Sequence, residues 1–151
     1  MEKTKLINPG GSLGDMDFQI PEFKNFAELR NYIVLFHGYE VSNNLFFASE
    51  FNGKDGAEVG CGHGLITFML SSHCKSITGF GVDNKAIGYA ESLNHTFNFK
   101  NVKFQHYDGT FSNVQTAFDV AISMNVIEHV INPVKYLEEI YKILKTDGVL
   151  Y

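Results

Sequence analysis

The segment AEVGCGHG, residues 57–64, places three glycines at alternate positions directly behind an acidic residue and an apolar pair. Gly60 and Gly62 allow positive φ and let a ligand approach the backbone without a Cβ in the way. In an open parallel sheet, the loop after the first strand lies at the crevice where ligands bind. The segment therefore predicts a ligand-binding loop, with an ordinary strand-to-helix turn as the alternative.

The spacing of these glycines separates two classes of nucleotide ligand. A nicotinamide fingerprint, G-x-G-x-x-G, requires its last glycine where this chain has Leu65, whereas the third glycine here is Gly64. The spacing argues against NAD binding and thus against an oxidoreductase, which is the first alternative function.

Two aspartates stand where the next two strands should end. Asp83 closes the run ITGFGVD directly before a helical pattern, where a carboxylate can accept both hydroxyls of a ribose. Asp108 in VKFQHYDGT could accept from an exocyclic amine. Each has a structural alternative, because Asp83 also suits a helix N-cap and Asp-Gly is a common turn pair. We expect a ligand that carries a ribose with both hydroxyls free.

These residues require an alternating fold to bring them together. The predicted strands are GAEVG, SITGFGVD, VKFQHYD, DVAISMN and GVLY, and the predicted helices are LITFMLSSHCK, NKAIGYAESLNHTFNF and NPVKYLEEIYKILK. Strands that alternate with helices indicate parallel strands joined by right-handed crossovers. The predicted fold is an α/β, open, doubly wound parallel sheet with helices on both faces and the strand order 3-2-1-4-5.

Periodicity and capping residues support the predicted helices. One face of the second helix carries Ala86, Ala90, Leu93 and Phe97. The third has Asn132 as N-cap, Pro133 at its first position, and Asp147-Gly148 as its expected end. One side of that helix is lined by Val134, Leu137, Tyr141 and Leu144.

The sequence pattern of the N-terminal region differs from the strand–helix alternation of the rest of the chain. We predict a flexible lead-in over about residues 1–20, which are rich in Gly, Asp and Lys. A helix should follow from Asn25, with Phe26, Leu29, Ile33 and Phe36 at helical spacing and Gly38 as its stop. A second helix is predicted from about Glu40 to Phe51. The domains are thus residues 1–50 as lead-in and helical cap, and 51–151 as the ligand-binding α/β domain.

Composition limits the partners. The chain has 151 residues, 44% of them hydrophobic, and a net charge of -5 with Arg30 as its one arginine, which disfavours nucleic acid. No run has the length of a signal peptide or a membrane span, so we expect a soluble, cytoplasmic protein. The two cysteines fit a reducing compartment.

Four segments in order resemble the class I S-adenosylmethionine (SAM) dependent methyltransferases of the small-molecule type. EVGCGHG is similar to the family's D/E-x-G-x-G-x-G motif, GVDNKAIGYAE to its ribose segment, YDG to its adenine segment, and FDVAISMNVIEHVINPVKYLEEIYKILKTDGVLY to its fourth strand, helix and fifth strand. The resemblance implies a Rossmann-like fold, SAM as cofactor, and methyl transfer to a small-molecule acceptor, with a hydroxyl oxygen as the candidate atom. A SAM-binding scaffold without catalysis is the second alternative.

The resemblance also implies roles for single residues. Glu58 would order the glycine loop, and the backbone near Asn125 would hold the cofactor's amino group. The cofactor-binding residues implied are Glu58, Gly60, Cys61, Gly62, His63, Gly64, Asp83, Asn84, Asp108, Gly109 and Asn125. Since holding a nucleophile in line with the methyl group can contribute about 7–11 kcal/mol, we expect no obligatory catalytic triad.

Three other groups of residues could have a catalytic or metal-binding role. Cys61 beside the glycine loop is interpreted as a small residue that fits the space, not as a nucleophile. The four residues Cys61, His63, His73 and Cys74 match no usual zinc spacing. Glu128-His129 resembles the metal-binding E-x-x-E-H segment of some O-methyltransferases, but Asn125 replaces the first glutamate, so we predict no metal and keep His129 as a candidate base.

The family's fold has seven strands, whereas the sequence stops at Tyr151, a few residues into the fifth. We therefore expect a fragment that lacks the last two strands. An exposed edge on the fifth strand would then favour self-association.

Overall fold

The computed structural model describes residues 22–32, 45–115 and 117–151. The predicted lead-in lies outside these residues, as do Ile33, Phe36, Gly38 and Glu40 in the predicted N-terminal helices. Within the described part, no helix is long and apolar enough to cross a membrane.

Five parallel strands form one sheet in the described residues. They are β1 (Asp55–Val59), β2 (Ser76–Gly81), β3 (Val102–His106), β4 (Phe118–Ile122) and β5 (Leu144–Leu150). Their order is β3-β2-β1-β4-β5, and every neighbouring pair is parallel. The predicted fold class and strand order are confirmed.

Helices connect the strands. They are α1 (residues 26–32), a 3₁₀ helix (Leu45–Phe51), α2 (Leu65–Ser71), α3 (Asn84–Phe97), a second 3₁₀ helix (Ile127–His129) and α4 (Pro133–Ile143). The described part of the predicted helix 40–51 is a 3₁₀ helix, not an α-helix. Its tight turns continue past its end, where the amide of Asn52 donates to the carbonyl of Ser49 at 3.1 Å.

Helix α3 forms as its sequence predicts. The Asp83 carboxylate caps it by accepting from the amide of Lys85 at 2.8 Å, and Asn98 ends it in the left-handed conformation with φ 58°. Ala86, Ala90 and Leu93 are buried on one face, and Phe97 is half-buried. The predicted packing face of this helix is confirmed.

Helix α4 begins as predicted but ends earlier. The Asn132 side chain accepts from the amide of Lys135 at 3.0 Å, and Pro133 is the first helical residue. The helix stops at Ile143 because Leu144 already pairs with Phe118 in the sheet. The prediction that Asp147-Gly148 ends this helix is wrong, since both residues lie in an irregular part of β5.

The side of α4 that the sequence singled out faces solvent. Val134 is 68% exposed and Tyr141 is 75% exposed. The buried face instead carries Tyr136, Glu139, Ile140 and Ile143. Both aliphatic residues pack against the sheet, while the polar atoms of Tyr136 and Glu139 bond to the loops above it.

Two hydrophobic cores lie on opposite faces of the sheet. On β4, Val120 and Ile122 belong to one core, and Ala121 between them belongs to the other, as the alternation of a strand requires. The first core packs under α1, α2 and α3, and the second packs under α4. Helices therefore cover both faces, as predicted.

Candidate functional site

The carboxyl ends of four strands meet at one edge of the sheet. Val59 is in register with Phe80, Gly81 with His106, and Glu58 with Ile122. The loops that follow these strands must therefore lie side by side. They contain the sequence-predicted site residues with three exceptions. Glu58 is the last but one residue of β1, Asn84 is the first residue of α3, and His129 ends the second 3₁₀ helix.

The glycine loop has the backbone that its sequence predicts. Gly60, Gly62 and Gly64 have φ values of 90°, 50° and 79°, in the left-handed region that favours glycine. The amides of Gly60 and Cys61 both donate to the carbonyl of Phe80, at 2.7 and 2.9 Å. The loop is thus fastened to β2 at its start.

The three glycines of the loop have different surroundings. A Cβ on Gly60 would lie 2.2 Å from Cγ2 of Val126, and one on Gly64 would lie 2.4 Å from Cε1 of Phe104. A Cβ on Gly62 would meet nothing within 4 Å. Packing inside the protein therefore requires Gly60 and Gly64, whereas Gly62 faces open space that a ligand can occupy.

Glu58 lies beneath this loop. Its side chain is 3% exposed and accepts a short hydrogen bond from Oγ1 of Thr67 in α2. Burial raises the pKa of the Glu58 carboxyl to about 7, against the opposing effect of the Thr67 hydroxyl. The pair joins β1 to α2 on either side of the glycine loop, which fits the predicted ordering role.

Cys61 and His63 have different surroundings within the loop. Cys61 is buried against Gly81, and burial, followed by the nearby Glu58 carboxyl, raises the pKa of its thiol. The Cys61 side chain is therefore packed inside the protein. The half-buried His63 ring packs edge-to-face on Tyr89 at 5.6 Å, and burial lowers its pKa against the charge of Asp83.

Asp83 can serve the helix and a ligand together. Its Oδ1 accepts from the amides of Lys85 and Ala86 at 2.8 and 3.5 Å. Among the described residues, its Oδ2 accepts no hydrogen bond that would compete with a ribose hydroxyl. Asn84, the next residue, is exposed at the first position of α3.

The loop after β3 is a tight turn. Oδ1 of Asp108 accepts from the amide and the hydroxyl of Thr110 at 3.1 and 3.0 Å, and Gly109 has φ 98°. The turn role foreseen as an alternative for Asp108 is therefore present. Its carboxylate remains exposed at the site edge, so the adenine role stays a prediction.

The loop after β4 carries Asn125 and the candidate base. Asn125 has φ 55° and is exposed. His129 Nε2 lies 3.9 Å from Oε1 of Glu128, and both side chains are about half exposed. His129 thus stands in an open part of the loop, and its role as a base stays a prediction.

The four residues considered for zinc are divided between the two ends of the sheet. Cys61 and His63 follow β1, whereas Cys74 lies against Gly56 near the start of that strand. The ring of His73 bonds to Oδ1 of Asn52 at 3.1 Å. In residues 22–32, 45–115 and 117–151, no three His, Cys, Asp or Glu side chains are grouped so as to hold a metal ion.

Several residues that build the site were given no role by the sequence analysis. Thr67, Phe104 and Val126 support the glycine loop, and Tyr136 and Glu139 of α4 bond to the loops around it. Their partners lie in other elements, from 9 to 77 residues away in the chain, so their own local patterns do not mark them as part of the site.

Comparisons with known proteins agree with this geometry. The family model described as "Methyltransferase domain" matches residues 57–151. A ubiquinone biosynthesis O-methyltransferase of Actinobacillus pleuropneumoniae serotype 7 is 27% identical over 132 residues, which cover 82% of this chain and 52% of that protein. The chain thus spans about half the length of this relative.

Solved structures share the fold. A SAM-dependent methyltransferase from Aquifex aeolicus superposes with a TM-score of 0.69 at 18% identity, covering 85% of this chain and 71% of that one. Coclaurine N-methyltransferase, solved with N-methylheliamine and S-adenosylhomocysteine (SAH), has a TM-score of 0.61 at 21% identity, covering 83% and 34%. By its family match, its sheet and its glycine loop, the chain belongs to the class I, Rossmann-like SAM-dependent methyltransferases.

Proposed function

We propose that this chain binds SAM at the carboxyl edge of its sheet and transfers the methyl group to a hydroxyl oxygen of a small molecule. One observation carries the proposal: the left-handed glycine loop with open space at Gly62 lies beside Asp83, whose second carboxylate oxygen is available to a ribose. The O-methyltransferase name of the relative supports the acceptor class.

The residues present fit this cofactor. Gly62 offers exposed backbone for the methionine part, Asp83 an acceptor for the ribose hydroxyls, and Asp108 an exposed acceptor for the adenine amine. When bound, SAM supplies an electrophilic methyl group, so the chain itself must position the acceptor and exclude water. His129 is the side chain proposed to take a proton from the acceptor hydroxyl.

The remaining expectations belong to the same proposal. A net charge of -5 supports a small-molecule partner over nucleic acid, and the free cysteines Cys61 and Cys74 support a cytoplasmic location. Self-association through the edge of β5 is supported by the exposure of Val149 and Tyr151. Sedimentation over a range of protein concentrations tests that last point.

The cofactor assignment is tested by calorimetry with SAH and SAM, with NAD as the competing ligand. Two substitutions separate the two roles of Asp83. Asp83→Asn keeps an N-cap side chain, whereas Asp83→Ala loses the cap as well as the carboxylate. We expect both to weaken SAH binding roughly tenfold or more, which is the value of a lost charged hydrogen bond.

The matched control is Asp147→Asn, an exposed aspartate in β5. Its affinity for SAH should equal that of the unchanged chain. If Asp83→Asn binds SAH as well as the unchanged chain does, the ribose assignment is wrong. Binding of NAD but not SAH would favour the oxidoreductase. Binding of SAM without turnover of any hydroxyl-bearing acceptor would favour the scaffold.

A further inference from the structure

Helix α4 forms hydrogen bonds to two of the loops at the site and to the last residue of β1, although none of its residues is assigned to the cofactor. Tyr136 and Glu139 lie on its buried face, 3% and 5% exposed. Oε2 of Glu139 accepts from the amide of Phe111, in the loop after β3, at 2.9 Å. The hydroxyl of Tyr136 reaches the ends of two different strands.

The Tyr136 hydroxyl makes two hydrogen bonds. It donates to the carbonyl of Val59 at 3.3 Å and lies 2.6 Å from Oγ of Ser123. Since a phenol has one proton, Ser123 is the donor in the second bond when the first is made. Burial raises the pKa of Tyr136 to about 12, so the phenol keeps its proton at neutral pH.

The two partners of the Tyr136 hydroxyl lie next to the two loops of the proposed cofactor site. Val59 is the last residue of β1 and precedes Gly60, and Ser123 follows β4 and stands two residues before Asn125. The same two loops also touch directly, because Val126 occupies the space where a Cβ on Gly60 would lie. Beyond the β1–β4 pairing, which extends to Glu58 and Ile122, the glycine loop and the Asn125 loop are thus joined by one hydroxyl and one packing contact.

We propose that Tyr136 is a positioning residue for cofactor binding: its hydroxyl holds the glycine loop and the Asn125 loop at the separation that the ligand requires. The inference rests on the proposed SAM site, because it assigns no contact between Tyr136 and a ligand. Tyr136 acts through Val59 and Ser123.

The test compares Tyr136→Phe with Tyr141→Phe in the 151-residue chain. The second substitution removes the same hydroxyl from the same helix at a residue that is 75% exposed. The measurement is the Kd of SAH by calorimetry, well below the thermal midpoint of each variant. We expect Tyr136→Phe to raise the Kd roughly threefold to tenfold, the range of one to two neutral hydrogen bonds. Tyr141→Phe should leave it unchanged.

Ser123→Ala provides a second, milder perturbation of the same bond. It should raise the Kd by about threefold, and the double variant should bind SAH no more weakly than Tyr136→Phe alone, because both changes remove one interaction. If Tyr136→Phe does not fold, the effect of Ser123→Ala decides the matter.

A purely structural role predicts a different pattern. Tyr136→Phe would then lower the thermal midpoint but bind SAH with unchanged Kd, and this result, or an unchanged Kd in Ser123→Ala, would overturn the inference. Failure of the unchanged chain to bind SAH would instead count against the proposed function, so the two failures are distinguishable.

Discussion

The Glu58 carboxyl should make the stability of this protein depend on pH in the neutral range. Burial raises its pKa from 4.5 to about 7 in the folded chain. Between these values the folded chain holds a proton that the unfolded chain has lost, so the free energy of unfolding falls as pH rises. At about 1.36 kcal/mol for each pKa unit, the full decline is about 3 kcal/mol.

The substitution Glu58→Gln isolates this effect, because glutamine is close in shape, can accept from Thr67 and has no charge to lose. The compared quantity is the free energy of unfolding of Glu58→Gln minus that of the unchanged chain. We expect this difference to be constant below about pH 4.5 and to increase by about 3 kcal/mol by about pH 8. Urea unfolding followed by circular dichroism at a series of pH values measures this difference. The exposed Glu138→Gln on α4 is the control and should run parallel to the unchanged chain.

Thr67→Val provides a second check. Removing the hydroxyl removes the main group that opposes desolvation, so the decline should extend to higher pH. A stability difference between Glu58→Gln and the unchanged chain that does not vary with pH would refute the argument, since Glu58 would then not titrate in this range. A difference that shrinks as pH rises would mean that the carboxylate is stabilised at this position.

Two further predictions concern the glycine loop and the thiols. Gly64→Ala should lower the free energy of unfolding by about 2–5 kcal/mol, because a positive φ and overlap with Phe104 act together. Gly62→Ala should lower it by only about 1–2 kcal/mol, because only the positive φ opposes the side chain. Urea unfolding measures both changes, and a larger loss for Gly62→Ala would contradict the packing described. The buried Cys61 and Cys74, whose thiol pKa values are both raised by burial, should react with an aromatic disulfide reagent far more slowly in the native chain than in urea. Single Cys→Ser variants assign each rate, and rapid native reaction of either thiol would show that it is accessible.

The sequence predicted most of the sheet because its signals are local. Strands β1, β2 and β4 each contain a short buried apolar stretch. Helix α3 carries both its cap, Asp83, and its buried face, Ala86, Ala90 and Leu93. At Gly62 the structure has the positive φ and the open space that the motif predicts. At Gly60 and Gly64 the stronger requirement is contact with Val126 and Phe104, which no local pattern shows.

Errors arose where distant contacts decide local structure. Leu144 continues the helical spacing of α4, yet pairing with Phe118 places it in β5. The apolar residues Val134, Leu137 and Tyr141 suggest a packing face, but the side that is buried includes Tyr136 and Glu139, whose polar atoms find partners in remote loops. Those partners lie 28 and 77 residues away in the chain, beyond the reach of any periodicity.

The contact between Gly60 and Val126 packs the glycine loop directly against the loop after β4, so that the Val126 side chain fills the space beside Gly60. A substitution that adds a side chain at position 60 would therefore need a smaller residue at position 126. The glycine loop and the loop after β4 thus form one packing unit in this chain.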